Sequence, residues 1–395
     1  MLHLPKRCVR RLLCLLLALC LCMTLPSALS VRTAAAELDS LGVSAQSAIL
    51  IDADSGKILY QKNAQTRLPM ASTTKIMTAL CAVELAEPSR VISVSPKAVG
   101  VEGSSVYLYA EEELTLEQLL YALLLESAND AATASAIALS GSVEAFADCM
   151  NDKARELGLQ DTHFENPHGL DHEQHYTTAH DLALITRAAL QHPILRAIVA
   201  TRKTNIPLNG TQGVRTLLNH NKLLRMYDGT IGVKTGFTKR SGRCLVSAAE
   251  REGLTLIAVT LNAPDDWNDH MRMLDAGFAA YDRVTLCESQ AYRAIVPVAG
   301  GKEQYVVVQN RQSCAVTLPS DRSALSCTVE LPHMLFAPVT GGTLIGRLVF
   351  RCDTNADGAY EVVGELPLYT AYTVEPLPRK TLWQRICDWF ASLIP

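Results

Sequence analysis

The chain has 395 residues, with 36 lysines and arginines against 40 aspartates and glutamates, so its formal net charge is −4 at pH 7. Nucleic-acid binding needs clustered positive charge, and we therefore expect no nucleic-acid partner. The length is sufficient for two separate hydrophobic cores.

The first 36 residues have the pattern of a secretory signal peptide. Basic side chains come first, the apolar run Leu12–Leu25 follows, and small residues end at Ala36. Because the apolar run is short for a membrane-spanning helix, we predict cleavage after Ala36; cleavage after Ser30 and an uncleaved anchor are the alternatives. Cleavage removes five basic residues and no acidic ones, which changes the charge to −9 (31 − 40). We therefore predict an exported, acidic protein.

Residues 37–285 have a pattern of elements that predicts an α/β (α+β) fold. Strands Ser47–Asp52 and Lys57–Tyr60 flank a turn at Gly56 and predict an antiparallel hairpin at the edge of the main sheet. Helices follow in the middle of the region and strands return at its end. The helices begin at Ser72, at Leu114–Gln118 with a Thr115/Gln118 capping box, at Asp130 and at Val143, and the strands are Thr230–Thr238, Arg243–Ala249 and Thr255–Leu261.

The pattern of apolar and polar residues in the sequence changes near Leu286. Short runs of alternating character, such as Tyr305–Gln309 and Leu344–Phe350, replace the longer elements. This pattern is typical of small antiparallel sheets. We therefore predict a separate, small β-rich C-terminal domain over residues 286–375.

Residues 376–395 predict a spacer followed by an amphipathic helix. Pro376 and Pro378 favour an extended spacer. The helix, from about Thr381 to Leu393, is too short to span a bilayer. Its apolar side chains fall on one stripe and basic residues lie nearby, so we predict attachment to the outer face of the cytoplasmic membrane; docking on the β domain and dimerisation are the alternatives. The stripe is Leu382, Trp383, Ile386, Trp389, Phe390 and Leu393, and the basic residues are Arg379, Lys380 and Arg385.

Cysteines and histidines suggest neither a disulfide framework nor a metal site. Four of the 12 cysteines lie in the signal region, and the rest have no regular spacing, so we interpret most of them as buried thiols. His172 and His175 lack the i, i+4 spacing of a helical zinc motif. We therefore predict no metal and no cofactor, although five histidines are close in sequence: His163, His168, His172, His175 and His180.

A serine and a lysine one helical turn apart, Ser72 and Lys75, begin an apolar helix after Pro69. A serine hydroxyl is a weak nucleophile unless a base takes its proton. Lysine can be that base when burial or neighbouring positive charge keeps its amine neutral. The pair therefore predicts a nucleophile and its base, although a single Ser-x-x-Lys motif also occurs by chance.

Two further motifs indicate that the Ser72 and Lys75 pair is not a chance occurrence. They are Ser127-Ala-Asn129, on a turn between helices, and Lys234-Thr-Gly in a strand. Their order and spacing are similar to those of penicillin-binding proteins and serine β-lactamases. From about Ser47 to Asp282 the chain most resembles the low-molecular-mass penicillin-binding proteins that are serine-type D-alanyl-D-alanine carboxypeptidases. Residues 127–132, 166–171 and 234–238 carry this closer likeness. The resemblance implies their fold, an antiparallel sheet with a helical region.

The resemblance also implies a role for each motif residue. Ser72 attacks the penultimate D-alanine, Lys75 takes the proton, Ser127 passes a proton to the leaving group, and Asn129 holds Lys75 and the substrate. Lys234 and Thr235 attract the substrate carboxylate. The backbone N–H groups of Ser72 and Phe237, next to Gly236, form the oxyanion hole.

The implied activity is removal of the terminal D-alanine from peptidoglycan stem pentapeptides, with β-lactam antibiotics as covalent inhibitors. Two alternatives stay open. A serine β-lactamase would need a glutamate that positions water, and Glu165 is the candidate by sequence alone. A non-catalytic peptidoglycan-binding protein would not need the intact Ser72, Lys75 and Asn129.

Overall fold

The computed structural model describes residues 41–208, 213–322, 325–354, 359–378 and 381–391. The predicted signal peptide, residues 1–36, lies outside this described part. In chain order the strands are β1 (Ser47–Asp52), β2 (Ile58–Lys62), β3 (Val91–Ser93), β4 (Glu113–Thr115), β5 (Lys203–Pro207), β6 (Val214–Leu218), β7 (Thr230–Thr238), β8 (Gly242–Arg251), β9 (Leu254–Leu261), β10 (Tyr281–Cys287), β11 (Arg293–Ala299), β12 (Tyr305–Asn310), β13 (Cys314–Pro319), β14 (Ser326–Glu330), β15 (Leu335–Phe336), β16 (Leu344–Cys352) and β17 (Glu361–Thr370).

The α-helices are α1 (Lys75–Leu85), α2 (Leu116–Leu125), α3 (Asn129–Ser140), α4 (Val143–Glu156), α5 (Ala179–Leu190), α6 (Pro193–Ala200), α7 (Leu223–Met226), α8 (Asp266–Ala280) and α9 (Leu382–Ala391). Short 3-10 turns cover Ala71–Thr74 and Pro96–Ala98. The predicted capping box is confirmed, because Thr115 and Gln118 exchange hydrogen bonds at the start of α2.

The main sheet has the strand order β2-β1-β9-β8-β7, and every neighbouring pair is antiparallel. The predicted hairpin is confirmed: β1 pairs with β2, which lies at one edge. At the opposite edge lies β7, which carries the Lys234 motif. Every residue of β9 is buried, as expected for a strand covered on both faces. The sheet thus joins the two ends of this region, as the resemblance implied.

Helices cover both faces of the main sheet. On one face, α1, α2, α3 and α5 share a core with β7, β8 and β9. On the other face, α8 packs against β8 and β9 in a second core. Residues Lys75–Ala82 of α1 are buried, so this helix is a central core element. The arrangement holds the start of α1 against the edge strand β7.

The start of α1 differs in one detail from the prediction. Ser72 lies in the 3-10 turn, and the α-helix itself begins at Lys75. The turn forms because the Thr73 and Lys75 N–H groups donate to the carbonyls of Met70 and Ser72, three residues back. Ser72 and Lys75 remain on the same side of the chain despite the tighter winding.

The C-terminal part contains a sheet of order β14-β16-β17-β12-β11-β15 and the antiparallel pair β10-β13. Its small cores are built from valines, such as Val306 and Val308, and from Leu348, Phe350 and Leu366. The division of the chain at residue 286 stays a prediction.

All cysteines of the described residues are free thiols, in agreement with the thiol interpretation. Three of them are buried, fewer than we expected: Cys81, Cys244 and Cys352. In the described part of the chain no single helix is both long and apolar enough to cross a membrane; the bent pair α5 and α6 would meet that test only together.

Candidate active site

The structure brings Ser72 and Lys75 together. The Nζ atom of Lys75 lies 3.0 Å from Ser72 Oγ, 2.7 Å from Asn129 Oδ1 and 2.6 Å from the carbonyl oxygen of His168. The amide and carbonyl oxygens can only accept hydrogen bonds, so each takes an N–H from Lys75. A neutral amine has two N–H bonds and one lone pair. With both N–H groups engaged, its lone pair is left for the proton of the Ser72 hydroxyl.

Burial favours this neutral amine. The side chain of Lys75 is fully buried, and desolvation lowers its pKa well below the usual value. The positive charge of Lys234 lowers the pKa further, and Asp130 opposes the shift. Asp130 is itself engaged by the Ser105 hydroxyl, whose Oγ donates to Oδ2 at 2.6 Å. Lys75 is therefore suited to accept a proton.

Lys234 lies on β7 and is 1% exposed. Burial lowers its pKa to about 7, and the negative charge of Glu126 partly opposes this. Its Nζ donates to the carbonyl oxygen of Thr235 at 2.9 Å. The buried Lys234 amine therefore releases its proton more readily than an exposed lysine does.

Ser127 and Asn129 occupy the turn between α2 and α3. Ser127 has a φ of 61°, a left-handed conformation that is uncommon outside glycine. The Nδ2 group of Asn129 donates to the Glu102 carbonyl at 2.6 Å, which fixes its oxygen toward Lys75. The turn therefore presents a hydroxyl to the cleft and an amide to the lysine.

The start of α1, the Ser127 turn and β7 enclose a cleft of about 370 Å³. Ser72, Ser127, Thr235, Gly236 and Phe237 line it. A Cβ atom on Gly236 would lie 3.1 Å from the backbone nitrogen of Ser72, so glycine permits β7 to approach the nucleophile closely. Phe237 is 66% exposed at the rim of the cleft.

Comparison with known proteins identifies the family. Residues 32–265 match the family model for D-alanyl-D-alanine carboxypeptidases, peptidase family S11. The chain belongs to this family. The D-alanyl-D-alanine carboxypeptidase DacF of Bacillus subtilis is 32% identical over 370 residues, which cover 91% of this chain and 93% of that relative. The carboxypeptidase DacC of Escherichia coli is 30% identical over 332 residues, or 80% and 82% of the two chains.

Solved structures support the same fold. The crystal structure of penicillin binding protein 5 from Haemophilus influenzae superposes with a TM-score of 0.69 at 26% identity, covering 85% of this chain and 98% of that one. This member of the D-alanyl-D-alanine carboxypeptidase family thus has the penicillin-binding-protein fold that we expected from the sequence.

All the predicted site residues come together in this member of the family. Ser72, Ser127 and Thr235 line the cleft, and Lys75 and Asn129 lie behind the nucleophile. Lys234 precedes Thr235 on β7. In the described residues no group of three or more histidine, cysteine, aspartate or glutamate side chains is arranged to hold a metal ion.

Sequence reasoning missed the contribution of the 166–171 loop. The His168 carbonyl is a partner of Lys75, and Gly169 follows it with a φ of +88°. Burial, and then the nearby Lys75, lower the pKa of His168 to about 3. The Nε2 atom of the buried His175 lies 2.7 Å from Thr74 Oγ1. These two histidines therefore support the catalytic turn, and the glycine in the loop was the one signal of a close approach.

Sequence reasoning also missed three other residues that line the cleft. Arg243, Asp266 and Trp267 line the cleft, and neither charge pattern nor motif pointed to them. Glu165, considered for a β-lactamase, instead has its carboxylate 3.5 Å from His163 and 3.8 Å from His172. It is not among the residues that line the cleft in the described part of the chain.

Proposed function

We propose that this enzyme removes the terminal D-alanine from peptidoglycan stem pentapeptides through an acyl-enzyme on Ser72, and that β-lactams acylate the same serine. The observation that carries the proposal is the buried Lys75 amine, 3.0 Å from Ser72 Oγ with two oxygen acceptors on its other side. Membership of the carboxypeptidase family supports the substrate class.

In the first step Ser72 Oγ bonds to the carbonyl carbon of the penultimate D-alanine while its proton moves to Lys75 Nζ. The negative charge that develops on the carbonyl oxygen is bound by the N–H groups of Ser72 and Phe237. Collapse of the intermediate breaks the peptide bond. Ser127 relays the proton that Lys75 took to the departing amine, which returns Lys75 to its neutral form, and D-alanine leaves.

In the second step water attacks the ester on Ser72 and releases the shortened peptide. Lys75, whose Nζ is hydrogen-bonded to Asn129 Oδ1, serves as the base that takes the proton of the attacking water. Lys234 and Thr235 bind the substrate carboxylate in both the peptide and the antibiotic. A β-lactam acylates Ser72 in the same way, but the bond that breaks is the amide bond of its four-membered ring, so the leaving amine stays attached to the acyl group and the ester persists.

Incubation with a fluorescent penicillin tests this proposal. Durable labelling of the protein supports a carboxypeptidase of this kind. Rapid loss of the label with release of hydrolysed penicillin would instead favour the serine β-lactamase. No labelling would favour a peptidoglycan-binding protein without catalysis. Release of free D-alanine from a peptide that ends in D-Ala-D-Ala provides the direct measure of activity.

We also propose that the enzyme is exported and attached to the outer face of the cytoplasmic membrane through α9. Thr381 and Gln384 form reciprocal hydrogen bonds at its start, with distances of 2.9 Å and 3.3 Å, so the helix has its own cap. Leu382 is 77% exposed and Trp383 is 73% exposed. Exposed tryptophan and leucine on one helix are typical of interfacial anchors. Leu393, Arg379 and Lys380 of the predicted anchor lie outside the described residues.

The attachment is tested by removing the residues after Pro378. The truncated enzyme should move from the membrane fraction to the soluble fraction and keep its activity on a small soluble peptide. A full-length variant with Trp383→Ser should bind vesicles of anionic and zwitterionic phospholipid more weakly, whereas Asp388→Glu, which keeps the charge of a residue outside the apolar stripe and outside the cap, serves as a control. If the truncated enzyme still sediments with membranes, the anchor proposal fails.

A further inference from the structure

Two cysteines meet at one end of the strand pair β10 and β13, which follows the catalytic region. Cys287 is the last residue of β10, Cys314 is the first residue of β13, and the two lie directly opposite each other in this antiparallel pair. A third cysteine, Cys327 on β14, lies opposite Phe350 on β16 instead. In the described part of the chain these cysteines are not among the residues that line the catalytic cleft. The proposed mechanism therefore leaves them without a role.

The strand register brings Cys287 and Cys314 to a separation that a disulfide can bridge. Opposite residues of an antiparallel pair have Cα atoms about 4.5–5.5 Å apart. A disulfide joins cysteines whose Cα atoms are about 4.4–6.8 Å apart. Both side chains also pack against one apolar cluster, which contains Phe350 and Leu366. The two thiols therefore lie on the same face of the strand pair.

The surroundings of the thiols agree with this proximity. Burial raises the pKa of the Cys314 thiol, and the nearby Cys287 raises it further, an effect that needs a short distance between the two groups. A Cβ atom on Gly364 would lie 3.0 Å from Cys314 Sγ, so glycine on β17 leaves space for this sulfur. The Cys287 thiol donates to the carbonyl oxygen of Glu288 at 3.5 Å, in an exposed position. An oxidant in solution can therefore reach Cys287.

A cross-link at this pair would strengthen an interrupted part of the strand pair. The register shifts between Thr285 and Cys287, so Leu286 has no opposite residue. Such a bulge disrupts the ladder of hydrogen bonds locally. Cys287 and Cys314 form the one pair beyond the bulge in the register of the described strands. Because α8 ends at Ala280 and β10 begins at the next residue, a bond here would fasten β13 to the strand that leaves the catalytic region.

We propose that Cys287 and Cys314 are a modification site that forms a disulfide when the protein meets a disulfide oxidant. The Cys287 thiolate attacks one sulfur of the oxidant and releases the other sulfur as a thiolate. The Cys314 thiolate then attacks the Cys287 sulfur of this mixed disulfide and releases the second sulfur of the oxidant. The two cysteines lose two electrons and two protons, and the oxidant becomes two thiols. Compartments outside the cytoplasm supply such oxidants, and the proposed export would bring the protein to them.

The test maps disulfides in the full chain after treatment with an excess of oxidised glutathione at about pH 8, where thiolates are available. The protein is then unfolded in urea while N-ethylmaleimide blocks the remaining thiols, and it is digested without reduction. The peptides that contain Cys287 and Cys314 should appear as one linked species, lighter by two hydrogens than their sum. Dithiothreitol should separate them. In untreated, reduced protein both cysteines should carry the maleimide.

Two variants identify the partners. Cys287→Ser should abolish the linked species and leave Cys314 blocked by the maleimide. Cys327→Ser is the matched control, because it removes a nearby exposed thiol that is not opposite Cys287, and it should keep the link. The inference is overturned if oxidised wild-type protein carries maleimide or glutathione on both cysteines, or if Cys287 is bonded to Cys327 or to a second chain. The readout is a covalent link and not a rate, so its failure leaves the proposed acylation of Ser72 untouched.

Discussion

Gly169 provides a sharp test of how the 166–171 loop positions the catalytic turn. A Cβ atom at this position would lie 1.9 Å from the carbonyl oxygen of Ala71, and the glycine has a φ of +88°. Gly169→Ala therefore adds a collision with backbone to the conformational strain. Since real Cβ contacts are longer than 3.0 Å, the loop or the turn would have to move by about 1 Å. Such a displacement of catalytic groups lowers rates about 100-fold.

Gly141→Ala is the matched control, because Gly141 has a φ of +85° at the end of α3 but nothing within 4 Å of the added Cβ. Its strain should cost about 1–2 kcal/mol, which lowers the Tm by roughly 2–8 °C in a domain of this size. We expect Gly169→Ala to lose more stability and to be acylated by a fluorescent penicillin about 100-fold more slowly, while Gly141→Ala is acylated at the wild-type rate. Wild-type acylation of a folded Gly169→Ala protein would refute the positioning role of the loop.

Two further predictions concern titrating groups. The charge of Lys234 lowers the pKa of Lys75, so Lys234→Ala should raise that pKa. The neutral Lys75 amine then appears only at higher pH, and the acid limb of the acylation rate should move to higher pH; an unchanged limb contradicts the coupling. Burial raises the pKa of the Cys81 thiol, whereas Cys387 is exposed. Iodoacetamide at pH 8 should therefore modify Cys387 in the native protein and leave Cys81 unmodified until the protein is unfolded, as peptide mass spectrometry would show.

Local signals in the sequence were sufficient to predict most of the helices and strands that carry the catalytic residues. Alternating apolar residues marked β7 at its observed limits, and the capping residues Thr115 and Gln118 marked the start of α2. The Ser72 and Lys75 spacing predicted a contact within one turn, which the structure contains even though the turn is 3-10 rather than α-helical.

Other parts of the site depend on contacts between distant segments. The His168 carbonyl meets Lys75 from 93 positions away, and a backbone group leaves no side-chain signal in the sequence. Arg243 enters the cleft because of the register between β7 and β8, which sequence alone does not specify for a single residue. The sequence therefore predicted the catalytic motifs, but it did not predict the contacts that distant segments make with them.

The central claim is that Ser72 becomes acylated, and site mapping by mass spectrometry tests it most directly. Wild-type protein incubated with benzylpenicillin should gain the mass of one penicillin, on the peptide that contains Ser72. Ser72→Ala should gain none and should release no D-alanine, while its Tm stays close to that of the wild type. An adduct on another residue, or an adduct that persists in Ser72→Ala, would contradict the account.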